Sequence, residues 1–315
     1  MQIWENILQA RQELNQNRAS TVITIGNFDG VHRGHQQIIQ RTRELARQSH
    51  SLAAVLTFKT HSDSLTGKPP LLLNTPDLRR ALLARTGIDR LLEIEFDQQF
   101  AALEAENFFQ AWIREALNAQ GLVVGYDFHF GAGRRGDFQL LQRLGREQGI
   151  RIEQVPPVYE GGAIISSSQI RQLLAEGQIN RANRMLGYNF VIEGKVVNGE
   201  KLGRKLGFPT ANIHLESQYL LPRYGVYLVR LTDAPQSYFG IANVGIKPTF
   251  GQSLPLVEVY LFDVQLNLYE RLVQVEFLKF IRPENRFSSP EALKKQIVRD
   301  LETAKGYLGQ FRIKM

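Results

Sequence analysis

Hydrophobic and polar positions in the first 185 residues follow two alternating patterns. Short runs of β-branched and aliphatic residues predict buried strands, and segments with an apolar residue at every third or fourth position predict helices. The strands are expected at residues 20–25, 53–58, 91–96, 121–125 and 152–158, and the helices at residues 35–46, 75–86, 105–119 and 140–148. Because strands that alternate with helices usually form a parallel sheet covered by helices, we predict an α/β domain here.

The pattern changes near residue 187, after which strand-like runs dominate. These runs occupy residues 190–197, 226–231, 238–244, 256–262 and 272–280, and short turns separate them. Such a series is typical of an all-β barrel. One helix is predicted to follow, from Ser289 or Pro290 to about Leu308. Because 315 residues exceed the usual size of a single core, we expect two domains, residues 1–185 and residues 186–315.

The composition is that of a globular protein, and it excludes several kinds of site and location. Hydrophobic residues make up 43% of the chain, and no apolar run approaches the ~18 residues that a membrane-spanning helix needs. The first residues lack the basic and apolar regions of a signal peptide. The sequence has no cysteine, which excludes disulfides, thiolate metal ligands and a cysteine nucleophile. We therefore expect a cytoplasmic protein without a membrane partner.

The charge is moderately basic, since 38 Lys and Arg residues against 31 Asp and Glu residues give a net charge of +7. A basic chain can bind nucleic acid or smaller polyphosphate ligands. The Lys and Arg residues are scattered, with no run longer than two, which favours an enzyme with polyphosphate ligands over a nucleic-acid-binding protein. We expect no nucleic-acid partner, and a monomer or a weak homo-oligomer.

The first candidate site lies between residues 24 and 39, where a predicted strand, a loop with three glycines and a helix follow one another. Such a loop lies where open α/β sheets bind ligands, and the N–H groups that begin a helix attract phosphate. His32 and His35 can project together from the first turn and donate hydrogen bonds to a phosphate in its transition state. Half of a zinc site and an inert turn are the alternatives. Zinc needs at least three ligands, and the other histidines form no adjacent ligand pair.

Two further segments of the first domain carry residues suited to a nucleotide. The strand that ends near residue 125 leads to Asp127, which can accept hydrogen bonds, and to Phe128 and Phe130, which can stack on a ring or simply pack in the core. Residues 166–168 are all serine; they can cap the short helix that follows and offer hydroxyl groups to phosphate. Arg171 would then neutralise a polyphosphate, unless this segment is an ordinary solvated cap.

The second candidate site begins with residues 194–212, a stretch rich in glycine and basic residues that follows a predicted strand. Such a stretch suits nucleotide phosphates, although it lacks the residue order of a Walker A loop. Thr210 and Asn212 at its end are hard oxygen donors of the kind that Mg²⁺ uses. Further on, Glu258 alternates with two valines in a predicted strand, so its side chain points to the opposite face from theirs. The alternative for Glu258 is an outward-facing glutamate paired with a lysine.

These segments together carry a resemblance to a known family. Residues 26–35 resemble the HxGH signature of nucleotidyltransferases. With residues 124–136 and 165–171 they are similar to the adenylyltransferase half of the bacterial bifunctional riboflavin kinase/FMN adenylyltransferases, also called FAD synthetases. The kinase half of that family is matched by residues 206–212, 243–251, 257–263 and 277–287. The resemblance implies a Rossmann-like parallel sheet of the HxGH nucleotidyltransferase type, followed by a six-stranded-type barrel with a C-terminal helix.

The resemblance also implies roles for individual residues. In the adenylyltransferase domain it places His32, His35 and Arg171 in catalysis, and it assigns ATP or flavin binding to Gly26, Asn27, Phe28, Asp29, Gly30, Gly34, Asp127, Phe128, Ser166, Ser167 and Ser168. In the kinase domain it makes Glu258 the catalytic base and Thr210 and Asn212 the ligands of Mg²⁺. It assigns ATP or flavin binding there to Gly194, Lys195, Gly203, Gly207, Phe208, Pro209 and Arg286.

The function implied by the resemblance is a two-step synthesis with riboflavin, FMN and ATP as substrates and Mg²⁺ as cofactor. The kinase domain would transfer the γ-phosphoryl group of ATP to riboflavin, which gives FMN. The adenylyltransferase domain would join FMN to the adenylyl group of a second ATP, which gives FAD and pyrophosphate. Two alternatives stay open: an enzyme with one activity and one degenerate site, and a nucleic-acid-binding or flavin-sensing protein.

Overall fold

The structure, a computed structural model, describes residues 1–66, 69–198, 207–249 and 252–312. The chain forms two compact units. The first comprises Met1–Leu71 and Pro76–Ser166, and the second comprises Leu72–Thr75 and Ser167–Met315. Residues 167–185, which the sequence predicts to lie in the first domain, are therefore grouped with the second unit. The domain boundary at residues 185 and 186 stays a prediction.

A six-stranded parallel sheet forms the centre of the first unit. Its strands are β1 Gln2–Trp4, β2 Thr21–Ile25, β3 Leu52–Phe58, β4 Arg90–Ile94, β5 Ala119–Gly125 and β6 Arg151–Val155. They lie in the order β1-β4-β3-β2-β5-β6, and every neighbouring pair is parallel. The predicted parallel α/β fold is confirmed. The sequence pattern gave no indication of β1.

Helices follow most of these strands. The α-helices of the first unit are α1 Ile7–Asn17, α2 Arg33–Gln48, α3 Pro76–Arg85, α4 Gln98–Ala101, α5 Ala105–Phe108 and α6 Phe138–Gln148. The helix predicted over residues 105–119 begins at Ala105, but it continues as a π-helix over Phe109–Ala116. Short 3-10 helices span Ser62–Thr66 and Ala132–Arg134, and a hairpin joins β7 Tyr159–Glu160 to β8 Ala163–Ile164.

Strand β2 lies in the middle of the sheet, with β3 on one side and β5 on the other. Thr24 pairs in register with Val55 of β3 and with Val123 of β5. All five residues of β2 are buried. The strand order reverses beside β2, and ligands of open α/β sheets bind at such a point, outside the carboxyl ends of the strands. The loops that follow β2 and β5 therefore leave the same edge of the sheet next to each other.

A closed six-stranded barrel forms the centre of the second unit. Its strands are β9 Val191–Val197, β10 Thr210–His214, β11 Gly225–Asp233, β12 Gln236–Thr249, β13 Gln252–Leu261 and β14 Leu272–Pro283. They close in the order β10-β13-β12-β11-β14-β9 with antiparallel pairs, which confirms the predicted barrel. The sequence pattern did not indicate β10, which carries two of the predicted site residues.

The predicted C-terminal helix is also confirmed and spans Pro290–Arg312. Ser289 caps it, because its hydroxyl oxygen accepts a hydrogen bond from the Ala292 N–H at 3.1 Å. The helix packs on the outer face of the barrel, where Ala304 is buried in a cluster with Val226 and Leu228. The helix therefore covers part of the outer barrel face.

Three segments from earlier in the chain complete the second unit. Helices α7 Ser167–Ala175 and α8 Ile179–Leu186 precede β9, and the Asn183 amide donates a hydrogen bond to the carbonyl oxygen of Phe277 at 2.9 Å. The strap Leu72–Thr75 pairs its Leu72 backbone with residues 218 and 220, at 2.8 Å in each case. No described helix combines the length and the hydropathy that crossing a bilayer requires.

Candidate active sites

The histidine pair of the first unit lies at the N-terminus of α2. His32 is the N-cap residue, and its Nδ1 accepts a hydrogen bond from the backbone N–H of His35 at 3.3 Å. The two rings stack with a centroid distance of 3.6 Å and an interplanar angle of 17°. Gly34 permits this arrangement, because a Cβ there would lie 3.1 Å from Nδ1 and Cε1 of His32. The two imidazoles therefore project together, as the sequence predicts.

The surroundings of His35 favour its neutral form. Burial of the His35 ring lowers its pKa well below the ordinary value, and repulsion from His32 lowers this pKa further. The Nδ1 atom of His35 is buried and has no hydrogen-bond partner among the described atoms. Since His32 Nδ1 accepts a hydrogen bond, the proton of its ring is assigned to Nε2.

The loop before the pair has an unusual backbone. Phe28, Gly30 and Val31 have φ angles of 48°, 84° and 36°, and the side chains of Phe28 and Val31 are buried. Left-handed backbone is costly for bulky and β-branched residues, so the surrounding contacts must hold it in place. Phe28 also contacts the His35 ring at a centroid distance of 5.1 Å. The side chains of Phe28 and Val31 are therefore part of the core of the first unit.

Asn27 anchors the start of this loop. Its side-chain amide donates to Ser62 Oγ at 2.9 Å, and its Oδ1 accepts from the Ser62 N–H at 3.1 Å. Its backbone carbonyl accepts from Thr57 Oγ1 at 3.2 Å and from Arg79 Nη1 at 3.3 Å. The sequence prediction assigned Asn27 to the ligand site, and the structure shows that these groups of Asn27 bind protein atoms.

Arg79 and its partner Glu93 were missed by the sequence analysis. Arg79 is 9% exposed and Glu93 4% exposed, and Arg79 Nη2 lies 3.1 Å from Glu93 Oε1. A signal was present, because Glu93 is a charged residue inside the apolar strand β4. Buried charges in proteins are normally paired, so this glutamate required a cation nearby.

The loop after β5 belongs to the second predicted segment, residues 124–136. Asp127 is exposed beyond the strand end, and its Oδ1 lies 3.3 Å from where a Cβ of Gly125 would be. Phe130 is buried, and Phe128 packs against the same core with a ring-centroid distance of 5.9 Å to Phe130. Phe130 therefore belongs to the core. Asp127 and Phe128 lie on the loop beside the one that follows β2.

The hairpin of β7 and β8 precedes the third predicted segment, residues 165–171, and brings its first residue close to α2. Arg33 Nη1 lies 2.7 Å from Glu160 Oε2, and the Ile165 carbonyl oxygen lies 3.5 Å from where a Cβ of Gly34 would be. Ser166 follows directly. The rest of the segment, which includes Ser167, Ser168 and Arg171, lies in α7 of the second unit.

In the second unit, Asn212, Glu258 and Asn243 form a row across three neighbouring strands. Asn212 pairs in register with Glu258, and Glu258 pairs with Asn243. Their chain neighbours Ile213, Val257, Val259, Ala242 and Val244 are buried inside the barrel. The three polar side chains therefore point outward on one face, with directly opposite residues about 5 Å apart. The prediction that Glu258 faces away from both valines is confirmed.

Asn212 stands out within this row. It is 6% exposed, and its Oδ1 is buried without a hydrogen-bond partner among the described atoms. A buried amide oxygen without a partner is costly, so a group beyond the described atoms is expected to supply one. Thr210 lies two residues earlier on the same strand and on the same face. No cluster of three or more His, Cys, Asp or Glu side chains suited to a metal occurs in the described part of the chain.

The other predicted kinase residues have varied surroundings. Gly194 allows β9 and β10 to approach, since a Cβ would lie 2.4 Å from the carbonyl oxygen of His214. Lys195 makes an exposed ion pair with Glu270. Phe208 packs edge-on against Tyr260 at a centroid distance of 5.6 Å. The structure places Gly207 in a turn, Pro209 directly before β10 and Arg286 exposed after β14. Gly203 lies outside the described residues.

Comparison with known proteins assigns a family to each half of the chain. Residues 14–169 match the family model described as FAD synthetase. Residues 186–308 match the family model described as riboflavin kinase. The first match contains the histidine pair, and the second contains the row with Glu258.

Relatives match almost the whole chain. The bifunctional riboflavin kinase/FMN adenylyltransferase of Escherichia coli strain K12 is 42% identical over 307 residues, which cover 96% of each chain. The protein of the same name from Pseudomonas fluorescens is 39% identical over 309 residues, with 95% of this chain and 96% of the relative covered. A crystal structure described as a macrolide-efflux protein from Streptococcus pneumoniae has a TM-score of 0.83 at 32% identity, and covers 91% of this chain and 94% of that chain.

Proposed function

The chain belongs to the family of bifunctional riboflavin kinase/FMN adenylyltransferases, and on this premise we propose which of its residues carry the two reactions. Riboflavin and ATP give FMN at the barrel of the second unit. FMN and a further ATP give FAD and pyrophosphate at the loop of His32 and His35. The observation that carries the proposal is the presence of both arrangements in one chain: a stacked histidine pair at a helix N-terminus and an outward row that contains Glu258.

In the kinase step, Glu258 is the general base. Its carboxylate takes the proton of the terminal ribityl hydroxyl as that oxygen attacks the γ-phosphorus of ATP and ADP leaves. Two amides flank Glu258 in register, Asn212 on one side and Asn243 on the other. Amide groups there can orient the substrate hydroxyl and a phosphate oxygen without competing for the proton.

Thr210 and Asn212 are suited to hold Mg²⁺ beside the phosphates of ATP. The buried Oδ1 of Asn212 lacks a partner among the described atoms, and a hard cation is a fitting partner for an amide oxygen. When bound, Mg²⁺ would neutralise the charge that develops on the transferring phosphoryl group. Gly207, Phe208 and Pro209 lead directly into this strand, which supports their assignment to the nucleotide or flavin site.

In the adenylyl-transfer step, the histidine pair stabilises charge rather than forming a covalent bond. A phosphate oxygen of FMN attacks the α-phosphorus of ATP, and pyrophosphate leaves. The Nε2–H of His32 and the neutral ring of His35 can donate hydrogen bonds to the oxygens that gain charge. The resemblance supports similar contacts from Ser166, Ser167, Ser168 and Arg171, and from Asp127 and Phe128 to the flavin nucleotide.

A product time course with two variants tests the proposal. Wild-type protein with riboflavin, ATP and Mg²⁺ should form FMN first and FAD later. Glu258→Gln should abolish FMN formation yet still convert supplied FMN to FAD, and His35→Ala should do the reverse. Loss of both activities in either variant would contradict two independent sites.

The same time course, together with a nucleic-acid binding assay, separates the alternatives. Accumulation of FMN without FAD would leave a riboflavin kinase with a degenerate second site. Salt-dependent RNA or DNA binding by a variant that lacks both activities would favour a nucleic-acid-binding protein. The cytoplasmic location and the monomeric or weakly oligomeric state stay predictions.

A further inference from the structure

Arg79 is a buried cation that contacts the backbone at the edge of the proposed adenylyltransferase site. Its Nη1 donates to the Asn27 carbonyl oxygen at 3.3 Å, and its Nη2 donates to the Phe58 carbonyl oxygen at 2.8 Å. These carbonyls lie just beyond the carboxyl end of β2 and at the end of β3. One guanidinium therefore joins the two strand ends from which ligand-facing loops depart.

Glu93 supplies the countercharge for this buried arginine. Its Oε1 lies 3.1 Å from Arg79 Nη2, and its Oε2 lies 2.5 Å from Arg80 Nε. Removing two charges from water is expensive, and packed apolar residues often stabilise a core as well as a buried ion pair does. Stability alone is thus a weak reason for Arg79. The fork of donors on its guanidinium offers what an apolar residue lacks, which is directional control of two carbonyl groups.

The Asn27 carbonyl is the important contact. In a trans peptide the C=O and the next N–H point in opposite directions, so fixing the Asn27 carbonyl also fixes the N–H of Phe28. Phe28 is the first left-handed residue of the loop that ends at His32. Ser62 fixes the Asn27 side chain at the same time. Both the side chain and the backbone carbonyl of Asn27 are thereby fixed by hydrogen bonds at the start of the loop.

We infer that Arg79 is a positioning residue for adenylyl transfer. It acts through the Asn27 carbonyl, by holding the loop of residues 27–32 in the backbone conformation that places the histidine pair. The inference rests on the proposed function of that pair. It predicts an effect on the rate of the chemical step, because misplacing a catalytic group slows the reaction more than it weakens substrate binding.

Arg80 provides a matched control. It contacts the same carboxylate, and its other described partner is Asp77 in its own helix. Replacing either arginine with methionine removes one cation from Glu93, and only Arg79→Met also removes the contact with Asn27. We expect Arg79→Met to lower kcat for FAD formation from FMN by about 10- to 100-fold, with KM changed by less than about threefold. Arg80→Met should stay within about twofold of wild type.

A second variant separates positioning from stability. Arg79→Met with Glu93→Leu removes both buried charges, which should restore stability relative to Arg79→Met alone. We expect FAD formation to stay low in this double variant, whereas Arg79→Lys, which keeps one donor, should recover part of it. Tryptophan fluorescence at the assay temperature reports whether the first unit is folded. Riboflavin kinase activity of the same samples should be unchanged throughout.

The outcomes are distinguishable. Wild-type protein that makes no FAD from FMN would refute the proposed function and this inference with it. An active wild type with normal kcat in Arg79→Met would refute the inference alone. Recovery of FAD formation in parallel with stability in the double variant would also overturn it, because Arg79 would then be only structural.

Discussion

Lowering the pH from about 7.5 to about 5.5 should destabilise the first unit through His35. Its ring is packed against His32 and Phe28, and burial holds its pKa well below the ordinary value. The unfolded chain exposes this imidazole, whose pKa then returns to about 6.5. Below that pH the unfolded state takes up a proton that the folded state does not. The stability that is present above pH 6.5 is therefore lost progressively as the pH falls.

The loss of stability at low pH can be calculated from the difference in the pKa of His35 between the folded and the unfolded chain. If the folded ring stays neutral at pH 5.5, linkage gives RT ln(1 + 10), or about 1.4 kcal/mol, lost from the free energy of unfolding. For a unit of this size that corresponds to a fall of about 3–6 °C in the unfolding midpoint. His35→Gln removes the titrating ring and should remove this part of the pH dependence.

The assay can follow the first unit by itself. The sequence has two tryptophans, Trp4 and Trp112, and both lie in the first unit. Tryptophan fluorescence during thermal unfolding therefore reports on this unit. His129→Gln is the matched control, because His129 is exposed in the same unit. Equal pH dependence in wild type and His35→Gln would refute the interpretation of His35 as a buried neutral imidazole.

The remaining predictions concern the second unit. Gly194→Ala places a carbon 2.4 Å from the His214 carbonyl oxygen. Strands β9 and β10 must then separate, and we expect calorimetry to show a loss of about 1–3 kcal/mol, with reduced FMN formation. Asn212→Leu removes the amide oxygen that has no partner among the described atoms, so FMN formation should fall at least about 100-fold in product assays without lower thermal stability. Gly306→Ala has open space in the C-terminal helix, and it should raise stability by about 0.5–1 kcal/mol with both activities unchanged. Retained FMN formation in Asn212→Leu, or unchanged stability in either glycine variant, would contradict these arguments.

The regular parts of the fold could be predicted because their apolar periodicity is clear. The run at β2 is β-branched throughout and the run at β3 is apolar apart from Thr57, and each ends before a polar or glycine-containing segment. Strand β10 escaped prediction because it has only five residues, Thr-Ala-Asn-Ile-His, and three of them are polar. Two of these polar residues, Thr210 and Asn212, belong to the proposed site. The residues that suit this strand to the site are therefore also the ones that weaken its hydrophobic pattern.

The candidate site could be predicted only in part for a related reason. His32 and His35 are close in sequence, so their proximity follows from helix geometry. Arg79 is far in sequence from Asn27 and lies beside Arg80 and Asp77, a grouping typical of a solvated helix face. Only the tertiary structure shows that one of these adjacent arginines is buried against Glu93. Periodicity likewise could not indicate that residues 72–75 pack with the barrel.

The strap Leu72–Thr75 determines how this chain can be divided. The chain leaves the first unit after Leu71, returns to it at Pro76 and leaves it again after Ser166. A single cut therefore cannot release the two units intact. A fragment that begins at residue 186 would expose the backbone groups of residues 218 and 220 that Leu72 now satisfies, and would leave Glu193 without the hydroxyl of Thr75. Dividing the chain before residue 186 would therefore break contacts that the barrel unit makes with residues 72–75.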